Sequence, residues 1–155
     1  MSLENKTIIL GISGGIAAYK TPDLVSQLRK QGANVHVVAT ENALKFVSQL
    51  SLEVMSGNKV HAKQNDGCEI EHIELADQAD LILIAPATAN TMAKLTTGIS
   101  DDILYDLVLA TRAPILIAPA MNSNMWEHST VQRNRKVLES MNYSFVEPEF
   151  GELAC

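Results

Sequence analysis

Apolar residues fall into short runs along this chain, and two of the runs are identical. Ile82-Leu83-Ile84-Ala85-Pro86-Ala87 recurs as Ile115-Leu116-Ile117-Ala118-Pro119-Ala120. Each run is continuously apolar and rich in β-branched residues, the pattern of a strand buried on both faces. Each is stopped by a proline, which cannot donate to a sheet ladder. Thr7 to Ile12, Val35 to Ala39 and Tyr143 to Val146 read as further strands, and Lys59 to Lys63 as a short one. Between them, helical spacing is expected from Ile16 through Leu28, ended by Gly32. Helices are also expected over Ala43 to Leu50 with Thr40 as N-cap, Ile70 to Ala79, Thr91 to Thr97, Asp102 to Thr111 and Thr130 to Met141. Gly98 should separate the Thr91 and Asp102 helices, with Ser100 or Asp101 capping the second. The stretch from Ser51 to Cys68 has no clear period. This alternation predicts an α/β fold, a doubly wound, mostly parallel sheet of about five or six strands with helices on both faces.

In such a sheet, ligands bind beyond the carboxyl ends of the strands. The polar segments after the two repeats, Thr88-Ala89-Asn90-Thr91 and Met121 to Trp126, are therefore expected to be loops that wall one site. Gly11-Ile12-Ser13-Gly14-Gly15-Ile16-Ala17 follows the first strand as a Gly-rich turn into a helix, an arrangement that presents free N–H groups and the Ser13 hydroxyl to an anion. The dinucleotide fingerprint fails, since only Gly11, Gly14 and Gly15 are present and no acidic residue closes the second strand. A mononucleotide phosphate fits better. Close helix-to-strand packing would call for the same glycines, and Thr40 could serve the phosphate or merely cap a helix. Asn122 could donate to a carboxylate or simply form an Asx turn.

Composition narrows the partners. A net charge of −6, with no cluster of Lys or Arg, argues against nucleic acid. No apolar run approaches a membrane span and no signal peptide is evident, so a cytoplasmic location is expected. Cys68 and Cys155 are the two cysteines, too few for a disulfide framework; Cys68 and His72 lack a third partner for a metal site, so none is expected.

Several stretches together resemble the homo-oligomeric flavin-containing cysteine decarboxylases, and among them most closely the phosphopantothenoylcysteine decarboxylases of coenzyme A biosynthesis. They are Gly14 to Lys20, His72-Ile73, Pro86 to Thr91, Gly98 to Asp102, Pro119 to Asn122 with Met125-Trp126, and Leu153-Ala154-Cys155. Thr88 stands where the family often has Ser, which keeps the hydroxyl. The resemblance implies a Rossmann/flavodoxin-like three-layer flavoprotein. FMN would bind with its phosphate at Ser13, Gly14, Gly15 and Thr40, and its ring beside Thr88, Ala89, Asn90, Thr91 and Ala120. It also implies a catalytic His72, a catalytic and substrate-binding Asn122, Met125 at the substrate, and Cys155 as proton donor. The implied reaction decarboxylates 4′-phosphopantothenoylcysteine to 4′-phosphopantetheine through transient oxidation of the thiol to a thioaldehyde. Family members are homotrimers or a dodecamer of trimers, with the flavin at a subunit interface and the histidine reaching a neighbour's site. Many continue into a Gly-rich flap and a synthetase domain. Residues 1–155 are thus expected to be a single FMN-binding domain cut before such segments, with a synthetase as fused or separate partner. The alternatives are a peptidyl-cysteine decarboxylase of the lantibiotic type, or a non-catalytic FMN-binding protein acting in regulation or electron transfer; the flavin prenyltransferases carry different loop motifs.

Overall fold

The structure, a computed structural model, describes residues 2–62 and 71–149. Cys68, the start of the expected Ile70 helix and the Leu153-Ala154-Cys155 motif lie outside the described residues. Five strands, β1 (Thr7–Ile12), β2 (Asn34–Ala39), β3 (Leu81–Ala87), β4 (Ile115–Pro119) and β5 (Ser144–Phe145), form one parallel sheet in the order β2-β1-β3-β4-β5. This is the doubly wound, flavodoxin-like order, whose switch point lies between β1 and β3. Beyond β2, the expected strand over Lys59 to Lys63 is reduced to a single parallel bridge between Val38 and His61.

Alternation along the strands sends the buried side chains to two separate cores. Ile9, Val38, Ile82, Ile84, Ile115 and Ile117 face one side, under α3 (Glu71–Gln78), α4 (Ala89–Thr97), α5 (Ile103–Ala110) and α7 (Ser129–Ser140). Ile8, Leu10, Ile12, Val35, Val37, Leu83 and Ala85 face the other, under α1 (Thr21–Lys30) and α2 (Gln49–Ser56). A strand buried on both faces has no polar face to present, which is why β1 and β3 read as unbroken apolar runs.

The identical hexapeptides lie side by side. Ile82, Leu83 and Ile84 pair with Ile115, Leu116 and Ile117, and the register then slips so that Ala87 pairs with Pro119. The slip falls at Pro86, which has no N–H to continue the ladder. The Ala85–Pro86 peptide is cis.

Four helical expectations are corrected. The helix expected from Ile16 divides into a 3₁₀ turn (Ile16–Lys20) and α1. Pro22 cannot bond the Ala18 carbonyl as an α-helix requires, and the Thr21 hydroxyl donates to it instead at 2.7 Å. The helix expected over Ala43 to Leu50 is a 3₁₀ turn (Ala43–Lys45), and the α-helix begins only at Gln49. Ser48 sets that start by accepting the Ser51 N–H, and Gly57 ends the helix at φ +72°. The segments after the repeats are helix N-termini rather than loops: α4 begins directly after Thr88, and a short α6 (Ser123–Glu127) directly after Asn122. Gly98 ends α4 as expected, while the cap of α5 is Asp102 rather than Ser100 or Asp101. No helix of the described residues is long and apolar enough to cross a membrane.

Ile84 is fully buried at the centre of β3. Ile84→Ala is expected to cost about 3 kcal/mol of stability, read as a lowered midpoint in urea denaturation.

Candidate functional site

At the switch point, Pro86 interrupts the ladder between β1 and β3, and Ser13 replaces the missing bonds. The Ser13 N–H and hydroxyl both donate to the Pro86 carbonyl, at 3.2 and 2.6 Å, and the same hydroxyl oxygen accepts the Thr88 N–H at 3.1 Å. Ser13 is almost fully buried, and these bonds pair its own hydroxyl, the Pro86 carbonyl and the Thr88 N–H. Above them opens a cleft of about 380 Å³ lined by Ser13, Gly14, Thr40, Glu41, Asn42, Thr88, Ala89, Asn90, Thr91, Lys94, Asp101, Asp102, Tyr105 and Met125.

Its floor at the Gly-rich turn suits an anion. Among the described residues, the N–H groups of Gly14 and Gly15 have no backbone partner, and they precede the 3₁₀ turn that opens at Ile16. Gly14 is required sterically: the Asn42 side chain crosses it, and a Cβ there would lie 2.2 Å from Asn42 Nδ2. Gly11 serves packing instead, since a Cβ on it would meet Leu104 Cδ1 at 2.5 Å. Thr40 is buried and accepts the Ala43 N–H through Oγ1 at 3.2 Å. That bond uses a lone pair, so the hydroxyl keeps its proton for an acceptor in the cleft.

The opposite wall is a chain of hydroxyls. Thr88 Oγ1 caps α4 by accepting the Thr91 N–H and donates its own proton to Thr91 Oγ1 at 3.2 Å. Thr91 Oγ1 in turn lies 3.0 Å from the buried Tyr105 hydroxyl. Lys94 Nζ sits 5.1 Å from the centre of the Tyr105 ring and 2.7 Å from Asp101 Oδ2; its ammonium is held above the ordinary lysine range chiefly by that Asp101 bond. Burial pushes the Tyr105 phenol up. Asp102 Oδ1 caps α5 by accepting the Leu104 N–H at 3.1 Å. Burial raises the Asp102 carboxyl above the usual carboxylate range, against the opposing pull of the Leu104 and Glu41 N–H groups.

Of the residues expected from the sequence, Ser13, Gly14, Thr40, Thr88, Ala89, Asn90, Thr91 and Met125 thus meet in one cleft. Gly15 borders it, its missing Cβ facing the Thr88 methyl at 3.4 Å. Ala120 and Asn122 are not in its lining. Asn122 is exposed, and its Oδ1 accepts the Asn124 N–H at 2.8 Å, an Asx turn that leaves the Nδ2 donors outward. His72 lies on the first turn of α3, also outside the lining. Cys155 lies outside the described residues. Glu41, Asn42, Lys94, Asp101, Asp102 and Tyr105 were not expected in the site; Glu41 and Asn42 directly follow Thr40, Asp101 and Asp102 stood in a resembling stretch, but no residue pattern marks Lys94 or Tyr105.

A sequence model of the family described as Flavoprotein matches residues 1–155. The chain is 48% identical over 156 residues to the coenzyme A biosynthesis bifunctional protein CoaBC of Bacillus subtilis (strain 168), covering 99% of this chain and 38% of that protein. It is 44% identical over 158 residues to the protein of the same name from Escherichia coli (strain K12), covering 100% of this chain and 39% of that one. The chain therefore spans about two fifths of the length of these curated relatives. Among solved structures, the FMN-dependent cysteine decarboxylase SpaF superposes with a TM-score of 0.90 at 33% identity, covering 97% of this chain and 88% of that one. A PPC decarboxylase mutant complexed with pantothenoylaminoethenethiol superposes with a TM-score of 0.83 at 29% identity, covering 96% and 85%.

The raised Asp102 carboxyl carries a stability consequence of definite sign. An acid whose folded pKa is raised contributes to stability while protonated, and loses that contribution as pH rises through the raised value. Asp102→Asn keeps an acceptor for the Leu104 N–H and has no charge to bury. It is expected to be at least as stable as the parent near pH 7, the difference shrinking toward about pH 3, measured by urea denaturation at both.

Proposed function

The chain belongs to the Flavoprotein family, and from that premise we propose that it binds FMN and decarboxylates 4′-phosphopantothenoylcysteine to 4′-phosphopantetheine in coenzyme A biosynthesis. The observation that carries this reading is the gathering, at one switch-point cleft, of an anion-binding turn and a wall of hydroxyl and amide groups. An anion site alone would suit many phosphates. Together with the hydroxyl and amide groups of Thr88, Asn90 and Thr91 on the facing wall, it suits a phosphorylated planar ring such as flavin mononucleotide.

In this reading the Gly14 and Gly15 N–H groups and the Thr40 hydroxyl hold the phosphate, and Ser13 keeps that turn closed against Pro86 and Thr88. Thr88, Ala89, Asn90, Thr91 and Ala120 flank the ring. When bound, FMN supplies a two-electron acceptor that later returns the pair, which is chemistry no side chain here provides. Asn122 Nδ2 donates to the substrate carboxylate without adding charge, so loss of CO2 is not opposed by a cation left on the carboxylate. Met125 gives the substrate an apolar flank. His72 moves the proton of the substrate thiol, and Cys155 donates a proton to carbon after CO2 has left.

His72 stands outside the cleft lining of its own chain, which favours a homo-oligomer, a homotrimer or a dodecamer of trimers, in which it serves a neighbouring site. Residues 1–155 would then act as a single FMN-binding domain. The relatives' description as bifunctional supports a synthetase as fused or separate partner. The place of this chemistry is the cytoplasm. The high similarity to SpaF keeps a C-terminal peptidyl cysteine as the second candidate substrate.

The purified protein should be yellow and release CO2 from 4′-phosphopantothenoylcysteine faster than from a cysteine-terminated peptide; the reverse preference would reassign the substrate. A colourless protein that takes up no added FMN would refute the whole reading. His72→Asn should keep its flavin absorbance and lose about 100-fold or more in kcat. Gly14→Ala should lose about tenfold or more in FMN affinity, measured by flavin fluorescence titration, because the Asn42 side chain must be displaced.

A further inference from the structure

His61 is anchored to the sheet through its backbone. Its N–H donates to Val37 O and its carbonyl accepts the Ala39 N–H, both at 2.9 Å. Its ring is largely buried, and Nδ1 lies 2.6 Å from Glu71 Oε1, with side-chain exposures of 11% and 29%. A partly buried, charge-assisted bond of that length is among the stronger polar contacts a protein makes. Glu71 is the first residue of α3, and the next is His72.

The rest of α3 is held one turn further on. Leu75 and Ala76 enter the core, and the Ala76 carbonyl accepts the Thr111 hydroxyl at 3.4 Å. Among the described residues, the His61–Glu71 pair is the side-chain bond that ties the opening turn of α3 to the edge of the sheet. His36 stands beside it, its ring centre 6.5 Å from that of His61 and its Nε2 bonded to Asn34 Nδ2 at 3.1 Å, so the His61 ring is bounded on the strand side as well.

We propose that the His61–Glu71 pair fixes the orientation of His72, making both residues positioning residues for the reaction. The inference rests on the reading of His72 given above. Neither side chain reaches the cleft lining, so their effect is transmitted through the first turn of α3. A displacement of a catalytic group by about 1 Å costs on the order of 100-fold in rate, and loosening one helical turn allows shifts of that size.

The test compares Glu71→Ala, Glu71→Gln, His61→Gln and His72→Asn in the FMN-loaded protein. Glu71→Gln keeps an acceptor oxygen for Nδ1–H, and His61→Gln keeps an N–H donor. Glu71→Ala is expected to lower kcat about tenfold or more with KM and flavin content unchanged, and both conservative variants are expected to recover most of it. Amide hydrogen exchange gives a readout independent of turnover: the opening turn of α3 should exchange about tenfold faster in Glu71→Ala and at the parent rate in Glu71→Gln. If His72→Asn is inactive while Glu71→Ala matches the parent in kcat and exchange, the positioning inference is overturned and the reading of His72 stands. If His72→Asn is active, that reading fails and the inference fails with it. A Glu71→Ala protein that has lost its flavin or its cooperative melt overturns a specific positioning role in favour of a general structural one.

Discussion

The architecture of the site depends on one hydroxyl. Prolines stop both repeated strands, and a stopped ladder between buried strands leaves a carbonyl and an N–H without partners where water is scarce. The Ser13 hydroxyl answers both, donating to Pro86 O and accepting from the Thr88 N–H. That single group lets β1 and β3 part above the sheet while their ends remain fixed. The Gly14 turn and the Thr88 cap then both line the cleft. A methyl group at position 13 would leave the Thr88 N–H without its partner and the Pro86 carbonyl with the backbone N–H of residue 13 alone.

A second regularity concerns charge. The cleft's lining contains Glu41, Asp101 and Asp102 against one cation, Lys94, which is already engaged by Asp101. Under the proposed function, an anion at the Gly14 turn is held by N–H groups and a hydroxyl rather than by ammonium or guanidinium groups. Such donors are directional and need no counter-ion of their own, so they select by geometry more than by charge. The carboxylates opposite discourage anions that lack the shape to seat themselves among those donors.

Much of this was legible in the sequence because its signals are local. The repeated hexapeptides announced buried parallel strands, and the Gly-rich turn after β1 is placed at the cleft with its Gly14 and Gly15 N–H groups unused by other backbone groups among the described residues. The misread segments are those where two local signals competed. The apolar spacing of Ala43, Leu44, Val47 and Leu50 mimics a helix, yet Ser48 offers a cap that restarts the chain one turn later. Thr88 and Asn122 looked like loop residues because caps and loops draw on the same side chains. Lys94 and Tyr105 were invisible for a different reason. They reach the cleft from the second turn of α4 and the first turn of α5, and only the packing of those helices brings them there.

The twin hexapeptides also bear on how the chain finds its topology. Strands of identical sequence present identical side chains to either core, so exchanging the positions of β3 and β4 would leave the strands' own burial unchanged. Patterning alone cannot tell the two slots apart. What distinguishes them follows each proline: Thr88, whose N–H meets Ser13, in one case, and Asn122, which closes on Asn124, in the other. The energy gap between the native arrangement and its strand-swapped twin is therefore written largely in the polar residues that follow the two prolines and in the lengths of the connections. At Thr88, which lines the cleft, ligand contact and discrimination against a misthreaded sheet fall on the same residue.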